Sequence, residues 1–135
     1  MLSGITGAND ASGAWTIELD GVSSLYDGLT IAIKLNKGPN ATYNTLNITN
    51  ISAGPQLVWE SSGIRLTDQH NRYDELILVY RTNVGSYTTP SSSANTPGTL
   101  TAGETYRNGW VVINSREKTS YVTLKEWGSV TWVYI

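Results

Sequence analysis

Between positions 29 and 35 the large apolar residues Leu29, Ile31, Ile33 and Leu35 fall on every second position, with Thr30, Ala32 and Lys34 between them. A period of two puts one set of side chains on one face of an extended chain, so the stretch predicts a half-buried strand. Asp27-Gly28 precedes it as a turn, because glycine tolerates positive φ and aspartate bonds to nearby backbone. Upstream, Trp15, Ile17 and Leu19 alternate with Thr16, Glu18 and Asp20 in another strand, which stops at Asp20-Gly21. Pairing these two neighbours is the simplest topology, since consecutive antiparallel strands need only a short connection.

The alternation returns repeatedly. Asn36-Lys37-Gly38-Pro39-Asn40 is a dense turn, and its proline has no place in a central strand. Residues 43–51 then form a strand with Leu46 and Ile48 inward and Asn47 and Thr49 outward. Leu57-Val58-Trp59 is a short strand, and Ser61-Ser62-Gly63 turns the chain into Ile64-Arg65-Leu66. Residues 75–81 are apolar on both faces, Leu76, Leu78 and Tyr80 on one and Ile77 and Val79 on the other, which predicts a central or sandwiched strand. Periodicity lapses over 82–103, where Ser91-Ser92-Ser93 between Pro90 and Pro97 marks a long polar loop.

The last third reads as a meander. A strand over 104–114 is interrupted by Asn108-Gly109, a dipeptide suited to a hairpin or a bulge. A turn at 115–118 leads to a strand over 119–126, and Trp127-Gly128-Ser129 turns the chain into a last strand over 130–135. No segment longer than a turn shows an apolar stripe of helical period, so almost no helix is expected. The expected fold is all-β, an antiparallel β-sandwich or flattened barrel of about eight strands. Residues 14–135 form its single domain. Residues 1–13, mostly small and polar around isolated Leu2 and Ile5, are expected to be a flexible N-terminal arm.

Composition narrows the function. The chain has 135 residues, enough for one ordinary core, and a formal charge of −2 with its nine Lys and Arg scattered. No basic stripe follows a phosphate backbone, which argues against nucleic acid. With no cysteine there is no disulfide, thiolate nucleophile or sulfur-based zinc site. The apolar runs are too short for a membrane helix, and no charged leader precedes a hydrophobic stretch, so neither membrane insertion nor signal-peptide secretion is expected.

Asp27-Gly28-Leu29-Thr30 running into an alternating strand, followed by Asn44-Thr45-Leu46-Asn47-Ile48, then Gly54-Pro55, then Leu78-Val79-Tyr80, resembles a small β module of tailed-bacteriophage tail fibres, receptor-binding proteins and minor structural proteins. The resemblance spans residues 15–81. Its order and spacing carry it, while Ile51-Ser52-Ala53-Gly54-Pro55 is leaner than the Gly-rich segment the family places before its proline. The resemblance implies a noncatalytic virion component of the phage tail, assembled in the host cytoplasm. It would be a homotrimer that contacts other tail proteins and host surface glycan. An alternative within the same setting is a purely structural baseplate, connector or head-decoration protein; a glycan depolymerase is less favoured.

Candidate chemistry follows from the aromatics. Five Trp and eight Tyr stand against no Phe, and Trp and Tyr carry a polar handle that suits them to surfaces as well as cores. Sugar rings stack their apolar faces on such rings while amides and carboxylates orient their hydroxyls. Tyr87 in the polar loop, Tyr106, Asn108 and Trp110 around the Asn-Gly turn, and Trp127 at a turn apex are the candidate ligand-binding residues. Burial in the core or in a trimer interface is the competing use of each.

No catalytic residue, metal or cofactor is expected. His70 lies near Asp68 and Asp74, but a single His without Cys is poor metal chemistry and reads as part of a solvated loop. A Ser-His-Asp set would have to use this same His, and no Gly-x-Ser-x-Gly turn is present. Glu60, Asp68, Asp74, Glu104 and Glu126 are the carboxylates from which a glycosidase pair would be drawn. The sequons at Asn40, Asn47 and Asn50 fall in a segment rich in Asn and Thr, and a protein made in bacteria leaves them bare.

Overall fold

The alternating stretch at 29–35 is a strand with Ile31 and Ile33 almost wholly buried, and it lies inside a sheet of seven. The structure, a computed structural model, describes residues 2–7, 13–91, 100–117, 121–123 and 132–134. Its strands are β1 (Leu2–Ile5), β2 (Ala14–Ile17), β3 (Thr30–Lys34), β4 (Thr45–Ile48), β5 (Gln56–Trp59), β6 (Tyr73–Arg81), β7 (Tyr87–Thr88), β8 (Thr105–Tyr106), β9 (Gly109–Glu117), β10 (Tyr121–Thr123) and β11 (Trp132–Tyr134). One turn of 3-10 helix at Asp68–His70 is the only helical element among the described residues.

The large sheet runs β1-β3-β6-β9-β5-β4-β2. Its two edges meet where Gly7 and Thr16 exchange backbone hydrogen bonds of 2.8 and 3.0 Å, so the sheet nearly closes into a barrel. The all-β, barrel-like expectation holds. Pairing is mixed, however. The β3–β6, β4–β5 and β6–β9 contacts are antiparallel, while β1–β3, β2–β4 and β5–β9 are parallel.

Two expectations are corrected here. The strands at 14–17 and 30–34 are not neighbours: β2 lies beside β4, and β1 takes the place next to β3. Residues 2–5 are therefore a barrel strand rather than part of a flexible arm. Gly4 permits this closure, since a Cβ there would stand 2.8 Å from Ile17 Cδ1. The second correction concerns the turn expected at 115–118. β9 runs on to Glu117, because Ser115, Arg116 and Glu117 each face a β6 residue, Leu76, Glu75 and Tyr73 in turn. Backbone pairing with the central strand overrides the polar character of these side chains.

β6 is central, as its two apolar faces predict, with β3 on one side and β9 on the other. The polar segment 82–103 is partly ordered into β7, which pairs with β8. Residues 92–99 lie outside the described set. The strands expected over 119–126 and 130–135 are described only as the antiparallel pair β10 and β11.

The barrel interior holds Trp15, Ile31, Leu46, Leu66, Leu78 and Trp110 among its buried residues. Each such side chain contributes about 1.5–3 kcal/mol on leaving water. A second apolar cluster of Tyr43, Leu57 and Trp59 lies on the outer face of β4 and β5, covered by Val84, Tyr87, Leu100, Tyr106 and Val111. β5 is thus buried on both faces, with Val58 in the barrel and its neighbours under the β7–β8 ribbon.

One end of the barrel is closed by loops 36–44 and 61–72. Asn44 is fully buried between them; its Oδ1 accepts from Asn40 N–H at 3.3 Å, and its amide donates to the carbonyls of Ala41 and Leu66 at 3.3 and 3.0 Å. Trp15 Nε1–H donates to the Lys37 carbonyl at 2.8 Å. Asn50, the residue of one sequon, is engaged elsewhere in the fold. Its Oδ1 accepts from Leu19 N–H, and its amide donates to the Leu19 and Val22 carbonyls at 3.0 and 3.2 Å.

Candidate functional site

β5 accompanies β9 only at Val58 with Trp110 and at Trp59 with Val111. After Trp59 the chain turns away, held by a 2.8 Å hydrogen bond from Glu60 N–H to the Ile64 carbonyl. A groove opens between the departing Glu60-Ser61 segment and β9. It has a volume of about 250 Å³ and is lined by Glu60, Ser61, Tyr73, Val112, Ile113, Asn114 and Ser115. A second groove of about 390 Å³ shares Asn114 and Ser115 with it and extends past Glu75, Leu76, Ile77 and Arg116.

A β-bulge shapes this surface. Leu78 faces Val112 and Ile77 faces Asn114, so Ile113 has no cross-strand partner, and it is 54% exposed. Inserting one residue re-aims the side chains that follow it. Ser115 N–H is taken up by Asn114 Oδ1 at 2.8 Å, which shields a donor on this stretch from pairing with another strand.

Behind the lining residues Glu60 and Tyr73 stands the turn at 67–72. Leu66 anchors it, fully buried and donating its N–H to the Val58 carbonyl at 2.9 Å. Thr67 caps the 3-10 turn by accepting from Gln69 N–H at 3.3 Å. His70 then stacks on Tyr73, ring centroids 4.8 Å apart and planes 13° from parallel, while its Nε2 contacts the Glu60 carboxylate. Gly38 closes the outside of the turn, where a Cβ would fall 2.0 Å from the Asn71 carbonyl oxygen. At the outer end Arg116 and Glu75 form an ion pair at 3.7 Å.

His70 therefore works with Glu60 and Tyr73, not with Asp68 and Asp74 as its place in the sequence suggests. Among the described residues no group of three His, Cys, Asp or Glu side chains is close enough to hold a metal ion. The groove lining offers one aromatic ring, Tyr73, backed by His70, together with the Glu60 carboxylate, the exposed Ile113 side chain, the Asn114 amide and the hydroxyls of Ser61 and Ser115. Such a set contacts a polyol through its C–H faces and its hydroxyls at once.

The residues singled out from sequence are distributed differently. Tyr87 and Tyr106 face each other across the β7–β8 pair, both half-buried over the outer cluster. Tyr87 lies 5.6 Å from the Tyr43 ring with the Arg65 guanidinium 4.6 Å from its centroid, and Tyr106 Oη accepts from Thr101 N–H at 2.8 Å. Asn108 is exposed, its Oδ1 accepting from Asn83 N–H and its carbonyl from Trp59 Nε1–H, both at 3.0 Å. These three hold the ribbon against the barrel. Trp110 is not a surface residue: it is fully buried in the barrel, edge-on to Tyr80 at 5.5 Å, and so leaves the candidate set. Strand alternation decides this, because Val111 takes the outward position and Trp110 the inward one. Trp127 lies outside the described residues.

Burial pushes the Tyr43 hydroxyl up to about 12, with Tyr87 and Tyr106 acting in the same direction. That hydroxyl has no hydrogen-bond partner among the described residues, and neither has the Trp110 indole N–H or the buried Thr45 hydroxyl. A protonated, desolvated phenol suits a packing role rather than proton transfer near neutral pH.

Sequence reasoning missed the groove residues Tyr73 and Asn114. One signal for them is present. Trp110-Val111-Val112-Ile113 is a run of four apolar residues, too long for an alternating strand that then turns polar, and a bulge resolves it by turning Ile113 out. No protein-family model matches the chain, and searches of curated proteins and of solved structures gave no match.

Proposed function

We propose that the chain is a noncatalytic adhesion module of a bacteriophage tail, and that the groove between β9 and Glu60 takes a saccharide of the host surface. The observation that carries the saccharide reading is the groove itself, where Tyr73, backed by the His70 ring, and exposed Ile113 stand beside Glu60 and Asn114. A sugar ring needs an apolar platform and a few placed hydrogen-bonding groups, and these are the groups on offer. The phage setting rests on the resemblance of Asp27-Gly28-Leu29-Thr30 and the three later segments to the tail-fibre β module. A homotrimer attached to other tail proteins belongs to the same proposal.

Light scattering on the purified chain, then attachment to host-range bacteria with and without their surface glycan, tests this reading. A trimer that binds only glycan-bearing cells, and loses that binding on Asn114→Ala with Ile113→Ser, is the expected result. Polysaccharide chain length is expected to stay unchanged on prolonged incubation. A trimer that binds no cells but assembles onto virions would replace adhesion with a purely structural role, and a monomer would remove the fibre resemblance as a guide.

A further inference from the structure

We infer that the groove selects uncharged saccharides and rejects those bearing carboxylates or phosphates, an inference that rests on the saccharide reading above. The carboxylate of Glu60 lines the groove, and that of Glu75 lines the adjoining groove, which shares Asn114 and Ser115 with it. Asp68 on the 3-10 turn, Asp74 beside Tyr73, and Glu117 opposite Tyr73 add negative charge on the elements that frame it. Among the described residues of these elements the opposing cations are Arg72, Arg81 and Arg116; Arg81 pairs with Asp27 at 3.4 Å, and Arg116, which lines the adjoining groove beside Glu75, is engaged by it at 3.7 Å. An anionic sugar entering this groove meets like charge without a free guanidinium to clamp it, whereas carboxylate and phosphate ligands are held by bidentate arginine where proteins bind them tightly.

The carboxylate of Glu60 has a more particular task. His70 Nε2 contacts one of its oxygens, Oε1, and the side chain remains 21% exposed on the groove wall. A carboxylate presents acceptor sites on both oxygens, so with Oε1 engaged by the imidazole, Oε2 keeps its own for ligand hydroxyl donors. The imidazole in turn is held flat on Tyr73, which fixes the carboxylate relative to the aromatic wall. A sugar ring stacked on that wall brings its hydroxyls to Glu60. Neutral hydroxyls donate to a carboxylate, and a second carboxylate has no proton to give at neutral pH.

The test is a glycan array carrying matched neutral and uronic- or sialic-acid-bearing oligosaccharides, probed with the intact chain at low and physiological salt. Neutral glycans are expected to bind at least about tenfold more tightly than their acidic counterparts, with the gap narrowing as salt screens the repulsion. Glu60→Gln is expected to weaken neutral binding, and Glu75→Lys to admit acidic glycans, with far-ultraviolet circular dichroism unchanged in both. Acidic glycans that bind the wild-type chain as well as neutral ones would overturn the selectivity while leaving the saccharide reading in place. An array without signal, together with cell attachment that groove substitutions leave unaltered, would remove the saccharide reading and the selectivity with it.

Discussion

The indole N–H of Trp59 donates to the backbone carbonyl of Asn108 at 3.0 Å, tying the end of β5 to the residue just before β9. This bond sits where the barrel and the outer aromatic cluster meet, and Gly109 makes room for it. Gly109 has φ of +153°, and a Cβ there would lie 2.1 Å from the Leu57 carbonyl oxygen and 2.8 Å from Trp59 Nε1. Gly109→Ala is expected to destabilise the fold by about 3 kcal/mol or more, since backbone on one side and a buried indole on the other leave no room to yield. Urea denaturation monitored by tryptophan fluorescence measures it, and a loss below about 1 kcal/mol would mean that the start of β9 is less constrained than this geometry requires.

Thr45 offers the opposite sign. It is the first residue of β4 and fully buried, and its hydroxyl has no hydrogen-bond partner among the described residues. Thr45→Val keeps the shape and the β-branched preference for strand while removing a desolvated hydroxyl. Stability is expected to rise by about 1 kcal/mol, visible as an increase in the thermal midpoint. No change would indicate that an internal water already satisfies the group.

Asn44 is buried with its hydrogen bonds made. Asn44→Ala removes the side-chain bonds to the Asn40 N–H and to the Ala41 and Leu66 carbonyls in the plug that closes one barrel end. A loss of about 2–3 kcal/mol is expected. Because Leu66 begins the turn that carries His70, the same substitution is expected to weaken attachment at the groove under conditions where the protein remains folded.

Alkaline pH provides a fourth test. The folded Tyr43 hydroxyl is held up at about 12 from an ordinary 10, so the folded chain keeps its proton where the unfolded chain releases it. The contribution is fully present below pH 10 and is lost as pH rises through about 12. Tyr80 is shifted upward by burial as well and adds to the same trend. The folded state is expected to lose up to about 2 kcal/mol across this window from Tyr43, and Tyr43→Phe to flatten the decline without abolishing it. A Tyr43→Phe stability profile that declines as steeply as wild type would assign the loss elsewhere.

How far the fold was legible depended on how local its causes are. The alternation of Leu29, Ile31, Ile33 and Leu35 reports side-chain burial within one strand, so β3 and the two-faced β6 were readable. Strand order was not. β1 lies parallel to β3, and β2 parallel to β4, because barrel closure brings Gly7 to Thr16 and lets Gly4 lie against Ile17, contacts with no counterpart between adjacent positions. Leu2 and Ile5 are too few to show a period, and their pairing partner is almost thirty residues away.

The site divides in the same way. Amino-acid type alone pointed to aromatic and amide side chains as candidates, Tyr106 and Asn108 around the turn at 108–109 and Tyr87 in the polar loop, and only the pairing of β7 with β8 set Tyr87 opposite Tyr106. The sequence by itself thus determined the all-β character, the central strand and the kinds of side chain available, since each depends on residue chemistry and a period of two. Tertiary structure alone decided which aromatics face outward. Trp110 was drawn into the barrel by its place opposite Tyr80, while Glu60, His70 and Tyr73 were gathered from three elements where β5 leaves β9. Strand pairing and burial act between residues distant along the chain, so the groove they form has no local signature.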